Sequence, residues 1–126
     1  MLENILALSA GAVLGALARY AITHWSSAAT AHSGFPFGTL AVNVIGCFVV
    51  GWILSWSTDH MHDRWRMFAA TGFCGAFTTF SAFAFESMAY WCQGQMTMFA
   101  LNVIGNNLLA LAAVVAGAAV RGPGSK

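Results

Sequence analysis

Followed for its hydrophobic and polar positions, the chain divides into four long apolar runs separated by short polar stretches. Ile5 to Trp25 is interrupted only by Arg19 and a few Ser, Thr and His, and Gly38 to Trp56 carries no charge and one strongly polar side chain, Asn43. Met67 to Trp91 contains Glu86, while Met96 to Val120 is uncharged and carries Asn102, Asn106 and Asn107. Crossing a bilayer core takes about 20 such residues as a helix. The pattern therefore predicts an all-α integral membrane protein: one domain over 1–126, with helices at about 4–25, 38–56, 67–91 and 96–120.

The polar stretches read as connections. Ser26 to Phe37 contains Gly34-Phe35-Pro36, which restricts the backbone away from helix. Ser57 to Arg66 collects Asp59, His60, His62, Asp63, Arg64 and Arg66 between Trp56 and Trp65, as an interfacial loop does. Cys92-Gln93-Gly94-Gln95 is a turn, and Arg121 to Lys126 is a tail. Within the first run, Gly11 and Gly15, with Ala7 and Ala18, make a small-residue seam along which another backbone packs closely. The third run has an unusual centre, Gly72-Phe73-Cys74-Gly75-Ala76-Phe77-Thr78-Thr79-Phe80-Ser81. Glycines and hydroxyls at membrane depth predict a helix interrupted between about Gly75 and Thr79, its freed carbonyls satisfied by protein, water or an ion.

Composition removes the other classes. Hydrophobic residues make up 59% of the chain and charged ones 7%, against about 25% charged in a soluble domain, so the exterior faces hydrocarbon. A net charge of +1 gives no basic stripe and excludes a nucleic-acid partner. Cys47, Cys74 and Cys92 are odd in number and lack ligand spacing, so they read as packing residues. His60 and His62, two apart beside carboxylates, read as a solvated loop rather than a metal pair. The opening Met1-Leu2-Glu3-Asn4 reads as the start of a retained helix rather than a signal peptide. Arg64, Arg66, Arg121 and Lys126 lie on the side shared by the termini and Arg19 lies toward the other, which places the termini in the cytoplasm.

Polar groups inside membrane runs are expensive and are functional candidates by default. Arg19 is either a snorkelling anchor or a cation that draws an anion into a vestibule. Glu86 either reaches a wet helix end or couples protons. Asn43 is either interhelical glue or an amide N–H facing an anion. Asn102 and Asn106, four apart, share a helix face and form a stripe about 6 Å long. Phe73, Phe77, Phe80 and Phe83 recur at packing intervals but alternate with Thr78, Thr79 and Ser81. Ring edges are positive and, beside hydroxyl donors, replace water around a small anion. Weak, distributed binding of that kind suits conduction.

Three segments carry a resemblance: Gly11-Ala12-Val13-Leu14-Gly15-Ala16-Leu17-Ala18-Arg19-Tyr20, Gly38-Thr39-Leu40-Ala41-Val42-Asn43-Val44-Ile45-Gly46, and Gly72 through Phe83. The chain resembles the Fluc (CrcB) family of bacterial fluoride channels over its whole length. The resemblance implies an antiparallel, dual-topology homodimer in the bacterial inner membrane, passing fluoride passively and doing no enzymatic chemistry. It implies a structural sodium ion at the dimer centre, held by the main-chain carbonyls of Gly75 and Thr78. It also implies a fluoride path along Phe80 and Phe83, with Asn43 as amide donor, Thr79 and Ser81 as hydroxyls, and Asn102, Asn106 and Glu86 among the polar groups lining the route. The sequence departs from the family pattern at Ala76, where a second glycine is frequent, and at Ala82, where the usual run Thr-Thr-Phe-Ser-Thr-Phe has a hydroxyl.

The alternative is a small proton-coupled multidrug exporter of organic cations, which needs a carboxylate within helix one. Only Glu3, at its start, is available, so that reading rests on Glu86. A third class, a non-transporting subunit, leaves the interrupted third helix unexplained.

Overall fold

The structure, a computed structural model, describes residues 1–55 and 63–120. Trp56, Asp59, His60 and His62 of the second connection, and the tail from Arg121 to Lys126, lie outside the described residues. The fold is all-helical among those described: α1 (Leu2–Ala29), α2 (Phe37–Ser55), α3 (63–77), α4 (Phe80–Cys92) and α5 (Met96–Ala119). Helices α3 and α4 together form one apolar stretch, so four stretches are long and apolar enough to cross a membrane. Leu6, Val13, Leu17, Ile104, Leu108, Leu111 and Val115 all point outward from the bundle.

Helix α1 runs past Trp25 through the Ser- and Ala-rich stretch to Ala29. The hydroxyls there bond the helix's own carbonyls instead of ending it: Thr23 Oγ1 donates to Arg19 O at 2.9 Å, Ser27 Oγ to Thr23 O at 2.8 Å and Thr30 Oγ1 to Ser26 O at 2.7 Å. The bend that follows places Phe35 ring to ring with Phe37, the first residue of α2. Between α4 and α5 the chain reverses through Gly94 at φ +71°, a left-handed conformation that glycine adopts without strain.

In lipid the helices gain little from apolar burial and associate through close contact of small residues. Gly11 and Gly15, the two buried residues of α1, lie on the backbone of α3 around Phe68 and Phe73, and Gly72 of α3 lies on α1 beside Leu8 and Ala12. Gly51 of α2 meets the Val114 carbonyl of α5, and Gly117 of α5 meets Phe48 and Trp52 of α2. A side chain at any of these positions would collide with backbone. The bundle is therefore two tightly joined pairs, α1 with α3 and α2 with α5.

Helix α3 is not regular. Asp63–Arg66 is α-helical, Met67–Cys74 winds as a π-helix, and Gly75–Phe77 returns to α-helix. Wider windings of this kind occur inside helices at functional sites. The helix then stops: Thr78 (φ −80°, ψ 159°) and Thr79 (φ −147°, ψ 116°) are extended before α4 begins.

Candidate functional site at the helix break

Two extended residues at membrane depth expose peptide groups that a helix would satisfy. The Thr79 N–H, which a continuous helix would direct at the Gly75 carbonyl, donates instead to Asn43 Oδ1 at 2.8 Å. The Thr79 carbonyl accepts from Asn43 Nδ2 at 3.2 Å. One side-chain amide thus pairs with both polar groups of one residue, as a neighbouring strand would. Ala82 N–H, which would otherwise reach Thr78 O, goes to Thr79 Oγ1 at 3.2 Å, so Thr79 caps α4. Thr78 Oγ1 turns back to Cys74 O at 3.0 Å. The break therefore diverts from Gly75 and Thr78 the N–H groups that would have occupied their carbonyls. Gly75 is exposed, with open space where a Cβ would stand.

Asn43 also donates to Asn106 Oδ1 at 3.0 Å. Its two N–H bonds are thereby engaged, one on the Thr79 carbonyl and one on Asn106, so Asn43 braces the break in this conformation. Beyond it, Asn106 Nδ2 donates to Asn102 Oδ1 at 2.8 Å, Asn102 Nδ2 to Ser87 Oγ at 3.0 Å, and Ser87 Oγ to Phe83 O at 2.8 Å. Asn102 and Asn106 do share one face, buried against α4. Sequence reasoning did not single out Ser87, because a lone Ser four residues after Phe83 looks like packing.

Two open grooves meet at Thr79. The first, about 260 Å³, is lined by Asn43, Thr78, Thr79, Phe80, Phe83 and Asn106 among others. The Phe80 and Phe83 rings stand 5.4 Å apart at 55°. Phe83 is buried, while Phe80 is 77% exposed and leaves this face of the groove open. The second groove holds Arg19, Thr39, Thr79, Ser81 and Glu86. Here Thr39 Oγ1 donates to Glu86 Oε1 at 2.5 Å, and Glu86 Oε2 is buried with no hydrogen-bond partner among the described residues. Thr79 Oγ1 and Ser81 Oγ lie 3.3 Å apart between the grooves. Thr39 is a second residue the sequence reading passed over, since a Thr at a helix start ordinarily serves the backbone. The structure thus gathers Asn43, Thr79, Asn106, Phe80 and Phe83 on one side and Arg19, Ser81 and Glu86 on the other. Asn102 is fully buried and lines neither groove. The cysteines are free thiols: Cys74 is buried and Cys47 half-buried, whereas Cys92 is exposed.

Proteins of known family share this arrangement of sequence. The family model described as CrcB-like protein, Camphor Resistance (CrcB), matches residues 6–118. The "Fluoride-specific ion channel FluC" of Koribacter versatilis is 46% identical over 123 residues, covering 95% of this chain and 97% of that protein. A relative of the same name from Dehalococcoides mccartyi is 40% identical over 117 residues, covering 91% and 89%. Another, from Paracoccus denitrificans, is 38% identical over 120 residues, covering 95% of each. The match spans all four apolar stretches, the broken third one included, and the chain belongs to the CrcB family.

Proposed function

We propose that this chain is a passive fluoride channel of the bacterial inner membrane, active as an antiparallel, dual-topology homodimer. The observation that carries the reading is the break at Thr78 and Thr79, held open by Asn43 between two grooves, in a chain whose relatives bear the name fluoride-specific ion channel.

A broken helix presents opposite charges at its two new ends. The first N–H groups of α4 lack intrahelical acceptors and carry the positive end of its dipole, so they favour an anion at Phe80 and Ser81. The end of α3 presents carbonyls, which favour a cation. Gly75 and Thr78, whose usual N–H partners are diverted, fit a sodium ion by donor type. Two carbonyls from each of two copies would hold it, and the ion would supply positive charge that joins the subunits at their centre. One subunit leaves Phe80 uncovered, which accords with a path completed by a second copy.

Along that path fluoride exchanges water for weak donors in steps. Arg19 draws the anion into the outer cleft, and the hydroxyls of Thr79 and Ser81, the edges of Phe80 and Phe83, and the amide of Asn106 replace its hydration, while Asn43, whose two N–H groups are engaged, braces the break beside them. None is a full countercharge within the narrow part, so binding stays weak enough for release. An exporter of organic cations would need an acid inside α1. The Glu3 carboxylate lies in the first turn of α1, 3.2 Å from Arg64 and exposed. The test is efflux from liposomes holding the purified protein, read with a fluoride electrode under a potassium gradient with valinomycin, with chloride in parallel. Rapid fluoride release without chloride release is expected. No release from folded protein overturns the reading.

A further inference from the structure

Two successive residues of the break are held by two positions about one turn apart on α2. Asn43 takes both peptide groups of Thr79, and Gly46 faces Thr78. Gly46 is buried, and a Cβ added there would overlap Thr78 Cγ2 and stand 3.1 Å from Phe77 Cδ1. The Thr78 methyl thus fills the space that a side chain at 46 would need. It is not free to swing aside, because Thr78 Oγ1 donates to Cys74 O at 3.0 Å. Three staggered positions are available about χ1, and the order of methyl, hydroxyl and hydrogen on a chiral Cβ is fixed. Only one rotamer then puts the methyl on Gly46 and the hydroxyl on Cys74 O. Turning the methyl off Gly46 takes the hydroxyl off Cys74.

One peptide plane joins this contact to the carbonyl side of the break. A trans peptide is planar, with its C=O and N–H pointing opposite ways. The Thr79 N–H points to Asn43 on α2, so the Thr78 carbonyl of the same plane points away from Asn43. Asn43 holds that plane only while α2 stands close. A Cβ at 46 would have to displace Thr78 by roughly 1 Å to restore ordinary contact. Asn43 bonds of 2.8 Å and 3.2 Å stretched that far are no longer hydrogen bonds. We propose that Gly46 is a positioning residue: by receiving the Thr78 methyl it sets the distance between α2 and the break, and with it the direction of the Thr78 carbonyl, a role that rests on reading Gly75 and Thr78 as sodium ligands. Gly46 lines neither groove, so this role is separate from contact with the anion.

The test compares full-length wild type with Gly46→Ala, Thr78→Ser and the double variant Gly46→Ala/Thr78→Ser, all with 15N-labelled asparagine side chains. Two quantities are read: the side-chain amide signal of Asn43, and the thermal midpoint in detergent as sodium replaces a large organic cation at constant ionic strength. A bound ion raises the midpoint in proportion to how far its concentration exceeds the dissociation constant. In Gly46→Ala the Asn43 signal is expected to move, and the sodium needed for a given rise should increase about tenfold, the scale of one lost buried hydrogen bond. The double variant removes the obstructing methyl and keeps the hydroxyl, so both readings should return to those of Thr78→Ser. Unmoved signals in Gly46→Ala overturn the proposal, as do moved signals with an unchanged sodium response, or a double variant as poor as Gly46→Ala. Should Gly46→Ala not fold, a folded double variant supports the contact and an unfolded one overturns it. A wild-type midpoint indifferent to sodium removes the cation reading, while the Asn43 signal and its return in the double variant still decide whether Gly46 spaces α2 from the break.

Discussion

Replacing Asn43 by Leu removes the only side chain paired with both peptide groups of Thr79 among the described residues. Leucine matches asparagine closely in size, so the packing of α2 on the break changes little and the effect isolates the lost hydrogen bonds. Thr79 is buried, and leaving a buried donor or acceptor unmade costs about 1–3 kcal/mol each. The buried Asn106 Oδ1 loses its donor too, and three such groups give an expected loss of about 3–9 kcal/mol, read as a fall in thermal midpoint of the detergent-purified protein. Asn43→Asp separates the two halves of the clamp: it keeps an acceptor for the Thr79 N–H but sets oxygen against Thr79 O and Asn106 Oδ1. It should fall between parent and Asn43→Leu in stability and lose fluoride efflux. Asn107→Leu is the control, because Asn107 is exposed and donates to the Val103 carbonyl of its own helix at 2.7 Å. Its cost is expected within about 0.5 kcal/mol. If Asn43→Leu is as stable as the Asn107 control and passes fluoride at the parent rate, Asn43 does not hold the break and the reasoning fails.

Other outcomes follow from the same contacts. Gly11→Ala and Gly72→Ala should each destabilise the bundle by about 1–3 kcal/mol by forcing α1 from α3, whereas Gly105→Ala, with open space at its Cβ, should not; thermal midpoints in detergent check both. Phe80→Ile and Phe83→Ile should each lower fluoride efflux sharply, with Phe80→Ile leaving subunit stability unchanged because that ring is exposed. Unchanged efflux in either variant removes that ring from the path. Exchanging sodium for a large organic cation throughout purification should weaken the dimer and slow efflux, as measured by size-exclusion chromatography and the fluoride electrode, and restoring sodium should reverse both.

The four apolar stretches were legible because charge is absent, or limited to Arg19 or Glu86 alone, for a bilayer's width, a signal that needs no partner. The break was legible for a related reason: Gly75, Thr78 and Thr79 stand where lipid-facing helices use Leu and Ile. What closes the break was less so. Asn43 and Thr79 are 36 residues apart, and nothing along the chain says that an amide in α2 meets a peptide after α3. Thr39 and Ser87 were missed because a single hydroxyl on a helix has a bland use, bonding the carbonyl one turn back, and Ser87 does that as well as accepting from Asn102. Composition also misplaced the end of α1, since Ser, Thr and Ala read as a loop until their hydroxyls are seen bonding backward along the helix. The π-helix of Met67–Cys74 has no sequence signature, although it is the segment that packs on the glycines of α1.

The central claim is passive movement of fluoride, and it is tested most directly by the reversal potential of the purified protein in a planar bilayer. Fluoride is placed at unequal concentrations on a symmetric chloride background, with and without a pH difference. The account predicts a current that reverses at the fluoride equilibrium potential and does not move when the pH difference is imposed. A reversal potential that follows chloride, or fluoride movement that stops without a proton gradient, would contradict it.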